Sequence, residues 1–303
     1  MRRITLLTLF VFSGPVLAQD VDRKKDVIYA KKMGYALTMD VATPAKPNGI
    51  GVIACVSGGW VSRHEGIDGM LNTFCKPLLD RGYTVFAVVH GSQPKFTIPE
   101  VLEDMHRAVR FIRYHAADYK IDPDRLGITG ASAGGHLSLM QGVGGMPGNP
   151  KATDPVEKVA SGVQCVGCFF PPTDFFNYGA EGKPANPGGE GVLKAFKAPF
   201  EYHEFKDRAF ERITDPEKRK EIDKAISPVY HVTKASAPTM LIHGDKDPLV
   251  PLQQSELMIA KLKEAGVPCE LVVKKDAVHG WSGLDKDMAT IADWFDKHLA
   301  KKN

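Results

Sequence analysis

A chain of 303 residues, 43% hydrophobic and 25% charged, has room for one large or two small domains and enough apolar material for a sizeable core. The formal net charge is +3, and two of those positive charges, Arg2 and Arg3, stand at the extreme N-terminus. This balance excludes the strongly basic surface that nucleic acid or an anionic membrane would require.

Residues 1–18 read as a secretory signal. Arg2 and Arg3 are its charged start, Ile4 to Phe12 its apolar stretch, and Val16-Leu17-Ala18 a small-residue cleavage site before Gln19. The apolar run is short for a bilayer span. The expectation is a secreted or periplasmic chain, 19–303, with no membrane attachment after signal removal. The five cysteines are Cys55, Cys75, Cys165, Cys168 and Cys269, an odd number that cannot pair fully within one chain. Cys165-Val-Gly-Cys168 has C-x-x-C spacing but lies in an apolar, strand-like run. Residues three apart on a strand face opposite sides, which argues against a redox or zinc pair. With no second C-x-x-C and no H-E-x-x-H, neither a metal site nor a cofactor is expected.

In chain order, residues 27–29 and 36–41 alternate like the arms of a hairpin broken near Gly34. Residues 50–56 form a continuous apolar run, as in a strand buried on both faces. Ser57-Gly58-Gly59-Trp60 ends it. A helix is predicted over 68–81 and a strand over 84–89. Pro99 opens a helix in which Val101, Leu102, Met105, Ala108, Val109 and Ile112 recur at helical spacing. Asp122-Pro123-Asp124 turns the chain into the strand before Ser132, a helix follows, and a strand is predicted over 159–170. From Asp174 to about Ala237 glycines, prolines and aromatics cluster and the pattern changes. Alternation resumes with a strand at 239–243, a helix at 253–265, a strand at 270–274 and a last amphipathic helix carrying Leu284, Met288, Ile291, Trp294 and Leu299. The expected fold is α/β, one mostly parallel sheet with helices on both faces, with 174–237 as a lid insertion over the strand ends and not a second domain. Binding crevices of such sheets lie at the carboxyl ends of the strands.

Gly130-Ala131-Ser132-Ala133-Gly134 matches G-x-S-x-G, the strand-to-helix turn that exposes a serine in a strained conformation beside helical N–H groups. A serine hydroxyl needs a base, and the base an orienting carboxylate, in the chain order Ser, Asp, His. Asp247, in Asp247-x-x-Val250-Pro251, lies at the end of the 239–243 strand and is preferred over Asp245, which is assigned to the turn itself. His279, in Ala277-Val278-His279-Gly280-Trp281, follows the next strand. The N–H of Ala133, together with Gly58 and Gly59, would form the oxyanion hole. The aromatics Phe175, Phe176, Tyr178, Phe196, Phe200 and Tyr202 would form either the insertion's own core or a substrate pocket.

On these motifs the chain resembles an α/β-hydrolase of the esterase and lipase branch, and is most similar to the group of bifunctional feruloyl and acetylxylan esterases. The densest matches are Ser57–Trp60, Ile121–His136, Ser227–Tyr230, His243–Pro251 and His279–Trp281. The resemblance implies a carboxylic ester hydrolase, with acetyl or feruloyl esters of plant polysaccharide as substrates. One departure stands out: Val56 and Ser57 occupy the places of the histidine and first glycine of the H-G-G-G-W motif. The stretch from His243 to Trp281 also resembles prolyl-oligopeptidase-type peptidases. A small amidase and a catalytically silent binding protein therefore stay open as alternatives, as does the oligomeric state.

Overall fold

The computed structural model describes residues 21–92, 95–185 and 191–301, so the expected signal segment lies outside the described residues. The strands are β1 (Val21–Lys32), β2 (Tyr35–Pro44), β3 (Gly51–Cys55), β4 (Thr84–Val88), β5 (Leu126–Thr129), β6 (Cys165–Phe169), β7 (His203–Lys206), β8 (Ala209–Arg212), β9 (Thr239–Gly244) and β10 (Cys269–Lys274). The helices are α1 (Gly66–Gly69), α2 (Lys76–Asp80), α3 (Ile98–Tyr114), α4 (Ala133–Val143), α5 (Pro216–Ala225), α6 (Gln253–Glu264) and α7 (Leu284–Leu299).

Eight strands form one sheet in the order β1-β2-β4-β3-β5-β6-β9-β10. The β1–β2 and β2–β4 pairings are antiparallel and the remaining pairings are parallel. β1 and β2 meet at a two-residue turn, Met33-Gly34, with both φ angles positive (49° and 82°). That backbone matches the right-handed twist of the flanking strands.

Strand periodicity divides the core between two faces. Ile53, Cys55, Phe86, Val88 and Leu241 pack with α3, α4 and α6, whereas Val52, Ala54, Val85, Ala87 and Ile242 pack with α2 and α7. Cys168 belongs to the first face and Cys165 to the second, and all five cysteines are free thiols. Gly167 on β6 lets α7 close on the sheet, since a Cβ there would stand 2.5 Å from Ile291 Cγ2. The predicted α3 begins at a capping residue, Thr97, whose N–H donates to the Glu100 carboxylate (2.8 Å), and its apolar stripe is buried as the spacing requires.

Two predicted elements change. The single helix over 68–81 is three pieces: α1, a π-helical turn at Met70–Phe74, and α2. Pro77 has no N–H to continue the ladder onto Thr73, so the helix restarts. The strand predicted over 159–170 is confined to Cys165–Phe169, and a 3-10 turn occupies Pro155–Lys158.

Between β6 and β9 the chain leaves the sheet. It makes 3-10 turns at Lys194–Phe196 and Ala198–Phe200, the separate β7–β8 hairpin, α5, and a 3-10 turn at Pro228–Tyr230. Phe175, Tyr178, Phe200 and Tyr202 are buried in the same core as Trp60, so these aromatics fasten the segment to the body. Phe176 and Phe196 are only partly buried.

Candidate active site

Ser132 sits between β5 and α4 with φ 55° and ψ −120°, a conformation L-residues rarely adopt. Its surroundings explain why glycine flanks it. A Cβ on Gly130 would stand 2.5 Å from the Gly134 carbonyl carbon, and one on Gly134 would stand 3.0 Å from the Cys55 carbonyl oxygen. The elbow is tied to the next strand by Ser132 N–H to Phe169 O (3.0 Å) and Phe169 N–H to Gly130 O (3.0 Å). Removing either glycine would therefore push backbone against backbone.

The loops after β9 and β10 bring Asp247 and His279 to the same end of the sheet. His279 Nε2 lies 3.0 Å from Ser132 Oγ, and His279 Nδ1 lies 2.7 Å from Asp247 Oδ2. The Asp247 side chain is fully buried, and its Oδ1 accepts the N–H groups of Leu249 and Val250 at 2.9 Å each. Burial alone would raise this carboxyl. Hydrogen bonding from His243, His279 and the Val250 N–H outweighs it and holds Asp247 well below the usual carboxylate range. His243 is fixed by Ser255 Oγ (2.7 Å) and Val250 O (2.8 Å), and stands 3.5 Å from Asp247 Oδ2. Asp245 lies off this line: its Oδ1 accepts Asp276 N–H (2.6 Å), joining the two loops. The Phe170 ring, with φ 35° at its own backbone, packs 4.6 Å from the His279 imidazole, centroid to centroid.

Gly58-Gly59-Trp60-Val61 is a tight turn closed by Gly58 N–H to Val61 O and Val61 N–H to Gly58 O, each 3.0 Å. Gly59 (φ 57°) and Trp60 (φ 59°) are its two left-handed central residues, as in a type I′ turn. This corrects the expectation for Gly58, whose N–H is bonded inside the turn and so is not offered outward. Among the described residues, no backbone carbonyl accepts the N–H of Gly59 or of Ala133. Those two N–H groups are therefore available as donors, that of Ala133 at the start of α4 and that of Gly59 in the turn after β3.

Trp60 anchors the turn from behind. Its indole N–H donates to His136 Nδ1 (3.0 Å), and His136 Nε2 donates to the Ile226 carbonyl (2.6 Å) in the segment between β6 and β9. A carbonyl can only accept, so this bond sets the tautomer of His136. Burial lowers the His136 pKa to about 4, so the ring is neutral near pH 7 and Nδ1 is free to accept the indole proton. Phe196 closes on the other side, its ring 2.7 Å from where a Cβ on Gly59 would stand. Of the residues that sequence spacing singled out, the structure brings His279 within hydrogen-bond distance of both Ser132 and Asp247. His136 and His243 stand inside matched motifs without an assigned part, and Phe170 stands outside them. His136 and Phe170 act through partners distant in the chain, Trp60, Ile226 and His279, and His243 through the fold of its own loop.

The BD-FAE family matches residues 39–262, about three quarters of the chain, ending before His279. Esterase LipQ of Mycobacterium tuberculosis is 29% identical over 195 residues, covering 63% of this chain and 41% of LipQ. The chain thus spans less than half the length of that relative. Among solved structures, a truncated carbohydrate esterase from gut microbiota superposes with a TM-score of 0.72 at 24% identity, covering 95% of this chain and 100% of the other. An acetyl ester-xyloside bifunctional hydrolase from Caldicellulosiruptor lactoaceticus gives a TM-score of 0.66 at 24% identity over 95% and 96%. At these identities the superpositions establish the α/β-hydrolase fold. The family match over most of its length makes the chain a member of the BD-FAE family.

Proposed function

We propose that this chain is an exported carboxylic ester hydrolase working through Ser132, His279 and Asp247. The observation that carries the reading is the unbroken run from Ser132 Oγ to His279 Nε2 (3.0 Å) and from His279 Nδ1 to Asp247 Oδ2 (2.7 Å), beside a positive-φ serine at a helix start. In this reading Ser132 attacks the ester carbonyl while His279 Nε2 takes its proton. The N–H groups of Gly59 and Ala133 receive the oxyanion. His279 then protonates the leaving alcohol, and a water it activates releases the acyl group from Ser132. Asp247, kept ionised by its donors, holds Nδ1–H in place and stabilises the imidazolium.

The substrate class proposed is an acetyl or feruloyl ester on plant polysaccharide. Support comes from the family match and from the two structural relatives named for carbohydrate or xyloside esters. Residues 174–237 act as a lid, a role supported by Phe196 at the Gly59 turn and by the bond from His136 to Ile226. Export rests on the sequence from Arg2 to Ala18. The test is hydrolysis of p-nitrophenyl acetate and acetylated xylan by wild type and Ser132→Ala, beside a peptide amide substrate. Ester turnover lost in the variant supports the reading. Turnover retained without Ser132, or faster cleavage of the amide than of the ester, overturns it.

A further inference from the structure

His90 is a buried histidine near the site that takes no part in the Ser132–His279–Asp247 run. It follows β4 and is 3% exposed. Its Nδ1 lies 2.6 Å from the carbonyl oxygen of Gly91, which can only accept, so Nδ1 carries a proton. Burial lowers the pKa of the ring to about 4, leaving it neutral near pH 7 with a lone pair on Nε2. Ser57 Oγ lies 2.9 Å from that Nε2, so the serine hydroxyl donates to it. His90 is itself held in place from α3: the Gly91 N–H donates to Asp104 Oδ2 (2.9 Å), and Lys32 Nζ pairs with Asp104 Oδ1 at 2.5 Å.

Ser57 immediately precedes the Gly58–Val61 turn, and its carbonyl oxygen lies 3.5 Å from where a Cβ on Gly134 would stand. It is thus packed against the nucleophile elbow on one side and bonded to His90 on the other. Val56, at the place of the motif histidine, has an apolar side chain and can make no such bond.

We infer that His90 is the positioning residue of the oxyanion turn: through the Ser57 hydroxyl it holds the Gly59 N–H where the oxyanion forms. This rests on the ester-hydrolase reading. The exchange is one of direction, since support that would come from a histidine at position 56 comes instead from the end of the neighbouring strand β4.

The test uses the full-length protein and the variants Ser57→Ala, His90→Gln and the double variant, with p-nitrophenyl acetate kinetics. Binding of a trifluoromethyl ketone, which forms a tetrahedral adduct, is measured alongside. The expected result is a kcat lower by about tenfold to a hundredfold with KM within about twofold, smaller than the loss on removing a donor outright. Affinity for the ketone falls in parallel, and the double variant is no worse than the poorer single variant, because both act through one bond. Ser57→Ala removes a single oxygen atom, so it carries the test should His90→Gln fail to fold. Wild-type kcat and ketone affinity in folded Ser57→Ala, or additive losses in the double variant, overturn the inference alone. Absence of esterase activity in the wild type overturns the ester-hydrolase reading and this inference with it.

Discussion

The imidazole of His279 joins Asp247 to Ser132, although 32 residues separate it from the aspartate and 147 from the serine. Asp247 accepts two backbone N–H groups on Oδ1 and the imidazole on Oδ2, so its position is set before any substrate arrives. Asp247→Asn keeps the shape of this arrangement but offers an amide that favours the wrong imidazole tautomer. The expected outcome is a kcat lower by about 10³- to 10⁴-fold with an unchanged far-UV spectrum. A fall of less than tenfold would remove Asp247 from the proposed triad.

Gly59 is constrained twice, by φ 57° and by the Phe196 ring 2.7 Å from its missing Cβ. Gly59→Ala strains the turn and displaces Phe196, costing about 1–3 kcal/mol of stability and lowering kcat together with it. Gly59→Ala combined with Phe196→Ala recovers the steric part but not the backbone part. Urea denaturation of the two variants separates them. Equal stability of single and double variants would show that the ring contact is unimportant.

Trp60 and His136 form a buried pair joined by a hydrogen bond from the indole N–H to Nδ1. Trp60→Phe leaves His136 Nδ1 without its donor and is expected to destabilise the fold by about 1–3 kcal/mol. The effect should reach the segment between β6 and β9 through the bond from His136 to Ile226. Hydrogen exchange on peptides covering 194–230 measures this. Unchanged protection there would separate the turn from the insertion.

His90, His106 and His136 are each held, by burial above all, at a pKa of about 4 instead of the usual 6.5. Their folded-state pKa lies below the unfolded value, so the unfolded chain takes up protons first as pH falls. Stability is therefore complete above about pH 6.5 and declines as pH drops toward 4, by roughly 3 kcal/mol for each fully buried imidazole. Imidazole proton resonances should show titration midpoints near 4 for His90 and His136, with thermal midpoints falling over the same range. Midpoints near 6.5 would contradict the neutral, tautomer-specific bonds described for both rings.

Local chemistry made much of the site legible in the sequence. The elbow is readable because a positive-φ serine needs small flanking residues, and Ser132, Asp247 and His279 follow three apolar strand runs, β5, β9 and β10, in that chain order. The α3 helix, predicted to open at Pro99 and found from Ile98, was readable by its apolar period; its Thr97–Glu100 cap came from the structure. The broken helix around Pro77 was missed because the apolar spacing continues across a residue that cannot donate.

The sequence by itself determined the alternation of strands and helices, the glycine-bounded serine, and the residue types standing ready at the strand ends. These follow from short-range rules of backbone strain and side-chain periodicity. Only the tertiary structure decided how each donor is used. The Gly58 N–H closes a turn on Val61, while among the described residues no backbone carbonyl takes the N–H of Gly59 or Ala133. His90 was brought to Ser57 from 33 residues away, and His136 to Trp60 from 76. Hydrogen bonds are directional and exclusive, so which of several candidate groups remains available depends on which partners the packed sheet brings within about 3 Å.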